Sequence, residues 1–224
     1  MDSFGPARRI AAEALGSALL LAAIVGSGIM GAHLAGGNAA LALLANALAT
    51  GAALVVLIWI FGPISGAHFN PAVTLVATLR RALPWRLALA YVVAQLTGAI
   101  LGVWCAHAMF GEQLLQVSLT PRADPGRILA ETVATFGLLG AILGTARFRP
   151  DGTAVAVGLY IVAAYWFTAS TSFANPSVTL ARSLTNSFAG IAPASTPAFI
   201  LAQMAGALLA AGLFGWLLRP EKTP

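Results

Sequence analysis

The sequence predicts an all-α integral membrane protein with six transmembrane helices and two re-entrant half-helices, built as an inverted repeat. Three observations carry that prediction. Of the 224 residues, 59% are hydrophobic and only 8% charged, with a mean hydropathy of +0.87. Six apolar stretches each approach the roughly 20 residues that a helix needs to cross the hydrocarbon. The segment Asn-Pro-small-Val-Thr-Leu occurs twice, at 70–75 and 175–180.

A soluble domain of this size keeps a larger polar exterior, so composition alone points to the lipid bilayer as the solvent. The predicted spans are 10–31, 40–62, 87–109, 127–147, 153–171 and 197–218. Gly and small polar residues interrupt several of them, as is usual where membrane helices pack on one another. No cleavable signal is visible, because Met1 to Arg9 is polar and the first apolar run is too long for a signal core. The single cysteine, Cys105, excludes an intrachain disulfide framework and reads as a small core side chain.

The net charge of +5 is placed asymmetrically. Arg8, Arg9, Arg80, Arg81, Arg86, Arg147, Arg149, Arg219 and Lys222 fall on the side of the N-terminus, against Arg122, Arg127 and Arg182 on the other. Such a bias orients a membrane chain with both termini cytoplasmic. It does not describe a nucleic-acid surface. Short loops and Ala/Arg-rich usage suit a bacterial inner membrane.

The repeat fixes the expected organisation: one membrane domain over 1–224, with a first repeat over 8–109 and an inverted second repeat over 127–218. Ala94-Gln95-Leu96-Thr97-Gly98-Ala99 returns as Ala202-Gln203-Met204-Ala205-Gly206-Ala207, in the third and sixth spans. Ala12-Glu13-Ala14 is echoed by Ala130-Glu131-Thr132 in the first and fourth. Three spans per half place the second half upside down relative to the first, with a pseudo-two-fold axis in the membrane plane.

The Asn-Pro segments follow the second and fifth spans. Asn is a preferred N-cap and Pro a preferred first helical residue. Only about ten helix-compatible residues follow each Asn before polar residues intervene, which is half a span. Two such half-helices entering from opposite faces would meet N-terminus to N-terminus at the bilayer centre. Each start carries roughly half a positive charge and unpaired N–H groups. Cations and protons then meet a barrier, while Asn70 and Asn175 offer hydrogen bonds to a neutral hydroxylic molecule. The lead-in loops 62–69 and 169–174 need partners for their backbone groups, and Glu13 and Glu131 are the candidates to hold them. The competing role for these acids is proton carriage in a transporter.

SGAHFNPAVTL, the second Asn-Pro-Ser box, and the repeated Glu and Ala-Gln-x-x-Gly-Ala positions resemble the major intrinsic protein family, the aquaporins and aquaglyceroporins, over essentially the whole chain. That resemblance implies an aquaporin-like fold, a pore in every protomer and a homotetramer. It carries the box positions onto Asn70, Pro71, Ala72, Asn175, Pro176 and Ser177, the last replacing the family's alanine. The residue after the second box is an arginine in most of the family; here it is Val178. By the family's spacing the selectivity filter is Thr50, Ala163, Ser172 and Val178, a small and uncharged quartet that should pass solutes larger than water. A register slip would instead bring Phe167 or Trp166 inward. Loss of the arginine to Val resembles aquaglyceroporin-like channels associated with bacterial arsenic-resistance operons, which implies arsenite and methylated arsenite as solutes.

Arg182 shares a helix face with Val178, about 6 Å nearer the outer mouth. It either lines a vestibule or is used up at the interface or on loop carbonyls. His68 falls at the expected cytoplasmic pore mouth, as a pH-sensitive group or in a fixed loop hydrogen bond. His33 and His107 read as polar rings at span ends. Gly98/Gly102 and Gly140/Gly144 read as helix-packing pairs. Neither metal-ligand spacing nor a catalytic set is present, so no cofactor and no enzymatic activity are expected. The expected function is a passive channel for water, glycerol-like polyols and arsenite with proton exclusion. The alternatives are a strictly water-selective channel, an ion-coupled secondary transporter on the same repeat, or a membrane packing protein without transport.

Overall fold

The computed structural model describes residues 4–220, so Lys222 of the basic set lies outside the described residues. Eight helices follow in order: α1 Pro6–Leu34, α2 Ala39–Ser65, α3 Pro71–Leu79, α4 Trp85–Phe110, α5 Pro125–Phe148, α6 Thr153–Phe167, α7 Pro176–Arg182 and α8 Thr196–Leu217. Among the described residues there is no strand.

Local chemistry sets these boundaries. Asn38 caps α2, its side chain accepting from the N–H groups of Ala40 at 3.0 Å and Leu41 at 3.1 Å. Gly66 ends α2 in the left-handed region at φ 92°, three residues after Pro63, which the last turn absorbs. Asp124 caps α5 through the Arg127 N–H, with Pro125 at the first helical position. α1, α2, α4, α5 and α8, the last with the short 3-10 turn before it, are each long and apolar enough to cross a membrane. α6 has 15 residues, about 22 Å by helical rise. It ends at Phe167 rather than 171 because Thr168 turns extended into the lead-in loop. α3 and α7 have 9 and 7 residues. They are the two half-helices, roughly 14 and 11 Å long against a hydrocarbon core of about 30 Å.

α1 packs on α4 and α2, and α5 packs on α8 and α6; α2 and α6 join the two sets. Each half-helix touches both α4 and α8, and the two touch one another. Close approach explains the repeated Gly of the Ala-Gln-x-x-Gly-Ala segments. A methyl at Gly98 would strike the Ala14 carbonyl on α1, and one at Gly206 the Thr132 carbonyl on α5. Gly102 is equally tight against Ala18, and Gly140 against the Phe214 ring, but Gly144 faces open space and is no packing contact.

Two expectations need correction. Cys105 is exposed on α4 and not part of the core. His107 is fully buried, its Nδ1 3.0 Å from the Leu114 carbonyl and its Nε2 2.9 Å from Thr185 Oγ1. It ties the end of α4 to both the 111–124 loop and the segment after α7, which a ring at an interface would not do. Trp59, Trp85, Val93, Leu201 and Trp216 lie on the outside, an apolar exterior that suits lipid or a neighbouring protomer.

Candidate functional site

The site begins with two buried carboxylates. Glu13 Oε1 accepts from Ser65 Oγ at 2.6 Å and the His68 N–H at 2.9 Å; its Oε2 accepts from the Phe69 N–H at 2.7 Å and Gln95 Nε2 at 2.8 Å. Glu131 does the same in the other half. It accepts from the N–H groups of Phe173 and Ala174, both at 2.9 Å, and from Gln203 Nε2 at 2.6 Å. Gln95 and Gln203 each donate onward to a half-helix threonine, Thr74 at 2.9 Å and Thr179 at 2.7 Å. The structure brings the glutamates onto the lead-in loops as anchors, with no lysine or arginine beside either in an ion pair among the described residues.

The anchoring offsets backbone strain. Ala67 and Phe69 before Asn70, and Ser172 and Ala174 before Asn175, all adopt φ near +50°. A left-handed conformation costs a non-glycine residue on the order of 1–3 kcal/mol and persists only where surroundings over-determine it. Here a buried carboxylate claims the two N–H groups immediately before each Asn.

The half-helices are pinned to one another. Asn70 Nδ2 donates to the Ala174 carbonyl and Asn175 Nδ2 to the Phe69 carbonyl, both at 2.8 Å. Each Asn Oδ1 caps its own helix, accepting from Ala72 N at 2.9 Å and from Ser177 N at 3.0 Å. Ser177 also donates its hydroxyl to Asn175 Oδ1 at 2.8 Å, so the Ser in place of Ala adds a bond to the cap. Each Asn amide spends one N–H on the crossing bond, and both Asn residues line the cavity between the helices.

That cavity, about 360 Å³, passes Arg80, Ala82 and Thr153 at one end and Thr50, Ser172, Val178 and Arg182 at the other. No carboxylate lines it. His68 borders it with Nδ1 3.1 Å from Thr74 Oγ1 and its ring edge-on to Tyr91, centroids 5.6 Å apart. The His68 ring is thus held against the first half-helix.

Three members of the expected filter meet at the far end and one does not. Thr50, Ser172 and Val178 are buried on the lining, the Ser172 hydroxyl without a partner. Ala163 is exposed and off the lining. The face of α6 toward the cavity is Val157, Ile161 and Tyr165, spaced by four; Ala163 falls on the far side of that helix. Counting across a span without a landmark lost the register. Phe167 is exposed, and Trp166 borders only a second cavity. The inward aromatic is Tyr165, whose hydroxyl is 3.2 Å from Thr50 Oγ1.

That second cavity, about 340 Å³, opens toward the 111–124 loop and is lined by Asn46, Arg122, Trp166, Thr171, Arg182 and Phe188 together with the start of α2. Arg182 is the one residue the two linings share. It is 2% exposed, donates from Nε to the Ala189 carbonyl, and lays its guanidinium 3.4 Å from the centroid of the Phe173 ring. Its Nη1 has no partner. The side chain thus binds a loop carbonyl and borders both cavities at once, so the carbonyl bond posed by the sequence does not remove it from a cavity wall. Arg122 approaches from the loop with Nε 2.8 Å from the Gly190 carbonyl. Burial, and then repulsion from Arg127, holds it below the usual guanidinium range. Gln95, Gln203, Phe173, Tyr165 and Arg122 are site residues that sequence reasoning did not single out. The Ala-Gln-x-x-Gly-Ala repeat was the available signal for the two glutamines; the other three had none.

The profile of the major intrinsic protein family matches residues 1–150. The chain is 54% identical over 222 residues to the aquaglyceroporin AqpS of Rhizobium meliloti (strain 1021), covering 99% of this chain and 95% of that protein. It is 35% identical over 170 residues to the aquaporin NIP1-1 of Oryza sativa subsp. japonica, covering 74% of this chain and 59% of that protein. The fold matches the crystal structure of the aquaglyceroporin from Plasmodium falciparum with a TM-score of 0.73 at 20% identity, covering 94% of this chain and 96% of that one.

Proposed function

This chain belongs to the major intrinsic protein family of membrane channels, and we propose that it is a passive pore for small neutral solutes extending beyond water to glycerol-sized polyols and arsenous acid. The observation that carries the reading is the lining of the central cavity. Asn70 and Asn175 both line it, and so does Val178, at the position where the family resemblance would put a filter arginine. A solute crossing this path exchanges water for amide and hydroxyl partners. With both half-helix starts turned inward and no carboxylate on the wall, a cation finds no compensation for its lost hydration.

In this reading Thr50, Ser172, Val178 and Tyr165 form the filter, Arg182 closes its outer side, and His68 flanks the cytoplasmic entrance. The two halves act as inverted repeats about the crossing Asn bonds, and the protein works as a homotetramer in a bacterial inner membrane with both termini cytoplasmic. Arsenous acid is included because it is a neutral trihydroxide with the hydrogen-bonding pattern of a polyol.

One observation favours a second reading, a water-selective pore. Tyr165 and Arg182 add an aromatic ring and a guanidinium to the lining beside Thr50, Ser172 and Val178, bulkier groups than the small quartet expected from sequence. Stopped-flow light scattering on proteoliposomes separates the two, comparing water, glycerol and arsenous acid for the wild type and Val178→Arg. The wider pore passes all three, and the variant keeps water while losing the larger solutes. A wild type that passes water alone establishes the second reading.

A further inference from the structure

The second cavity, which forms the outer vestibule in the channel reading, is lined by two arginines near one ring and by no carboxylate. The Cζ atoms of Arg182 and Arg122 lie 3.4 and 5.3 Å from the Phe173 centroid, so the two cations are no more than about 9 Å apart, the two distances laid end to end. Each is tethered by Nε to consecutive carbonyls of one loop, Ala189 and Gly190. Arg122 makes no hydrogen bond from Nη1 or Nη2 to the described residues, and the buried Arg182 Nη1 has none either. The only ion pair among the described residues joins Asp124, two residues along the loop from Arg122, to Arg127, and both oxygens of that carboxylate are taken by Arg127. Glu131 is the carboxylate whose field reaches both arginines, but its oxygens are committed to Phe173, Ala174 and Gln203.

Two like charges side by side on a cavity wall, one half-buried and the other fully buried with an orphaned donor, favour an anion between them. Guanidinium groups favour planar or tetrahedral oxyanions, which they bind through paired N–H donors. The Thr171 side chain on the same lining adds a hydroxyl, and the cavity of about 340 Å³ admits a small ion readily.

We propose that the vestibule is a binding site for a small oxyanion of the carboxylate or phosphate class, held between Arg122 and Arg182 over Phe173. Because Arg182 also lines the central cavity, an anion held there stands across the route to the filter and lowers the flux of neutral solutes. The obstruction rests on the channel reading; the binding does not.

Two measurements test it on the intact protein, with sodium formate and inorganic phosphate as separate titrants and a bulky sulfonate salt holding ionic strength constant. The first is the shift in thermal unfolding of the purified protein. The second is glycerol flux in proteoliposomes with the anion on the vestibule side. At least one titrant raises the unfolding temperature saturably and lowers flux over the same range; which one does so names the class. In Arg122→Gln the half-effect concentration rises about tenfold or more, as expected for a lost charge-assisted bond, while Arg122→Lys keeps most of the effect. Absence of a saturable shift with both titrants in the wild type overturns the site without recourse to any variant. So does an unchanged half-effect in a folded Arg122→Gln protein. A shift without any glycerol flux leaves the site standing and removes the channel reading, and a shift with flux that the anion does not alter removes the obstruction.

Discussion

The Arg182 guanidinium stacks on the Phe173 ring at 3.4 Å, so a cation from the half-helix after the second box rests on a side chain from the loop before it. Arg182 and Val178 lie on the lining of the same cavity, so the charge that Val178 lacks is present on the wall four residues further on. A unit charge on the wall of the conduction path, at an effective dielectric near 20, opposes a passing cation by on the order of 1–4 kcal/mol. Arg182→Ala should raise the proton leak of proteoliposomes roughly tenfold while glycerol flux stays equal or rises. A pH-gradient decay identical to that of the wild type would show that the half-helix termini exclude protons unaided.

Tyr165 and Ala163 give a test of register. Tyr165→Ala removes an inward ring and the partner of Thr50, and should raise glycerol flux several-fold relative to water. Ala163→Leu adds bulk to an exposed face and should leave both fluxes within about twofold, since surface changes commonly fall within ±0.5 kcal/mol. The reverse ranking would place Ala163 in the path after all.

Glu131→Gln replaces an acceptor of three hydrogen bonds by a group with a single acceptor oxygen. At least one donor among Phe173 N, Ala174 N and Gln203 Nε2 then loses its partner, at about 1–3 kcal/mol for each buried orphan. The lead-in loop also loses the contact that offsets its left-handed residues. The expected result is a clear drop in the unfolding temperature together with reduced flux; a stable variant whose flux alone falls would point instead to a proton-carrying role.

Ser177→Ala removes one hydroxyl bond to Asn175 Oδ1 but leaves the backbone caps from Ser177 N and Val178 N intact. It should cost about 1 kcal/mol or less in stability and leave solute selectivity unchanged. A selectivity change in this variant would mean that the serine positions the Asn175 amide in the path.

Apolar run lengths, two Asn-Pro caps and the repeated Glu and Gln positions determined the membrane class, the half-helices and the anchoring carboxylates. These are legible in sequence because each depends on contacts within a few residues, or on a pairing that recurs in both halves. Tertiary structure alone decided which face of α6 meets the cavity, since helical phase across a 15-residue span has no marker when the surrounding residues are all apolar. It likewise decided that Arg182 is buried between two cavities and paired with a ring, and that His107 clasps a loop. Those outcomes depend on where distant segments cross, and in a chain this uniformly apolar, hydropathy is nearly the same whichever face turns inward.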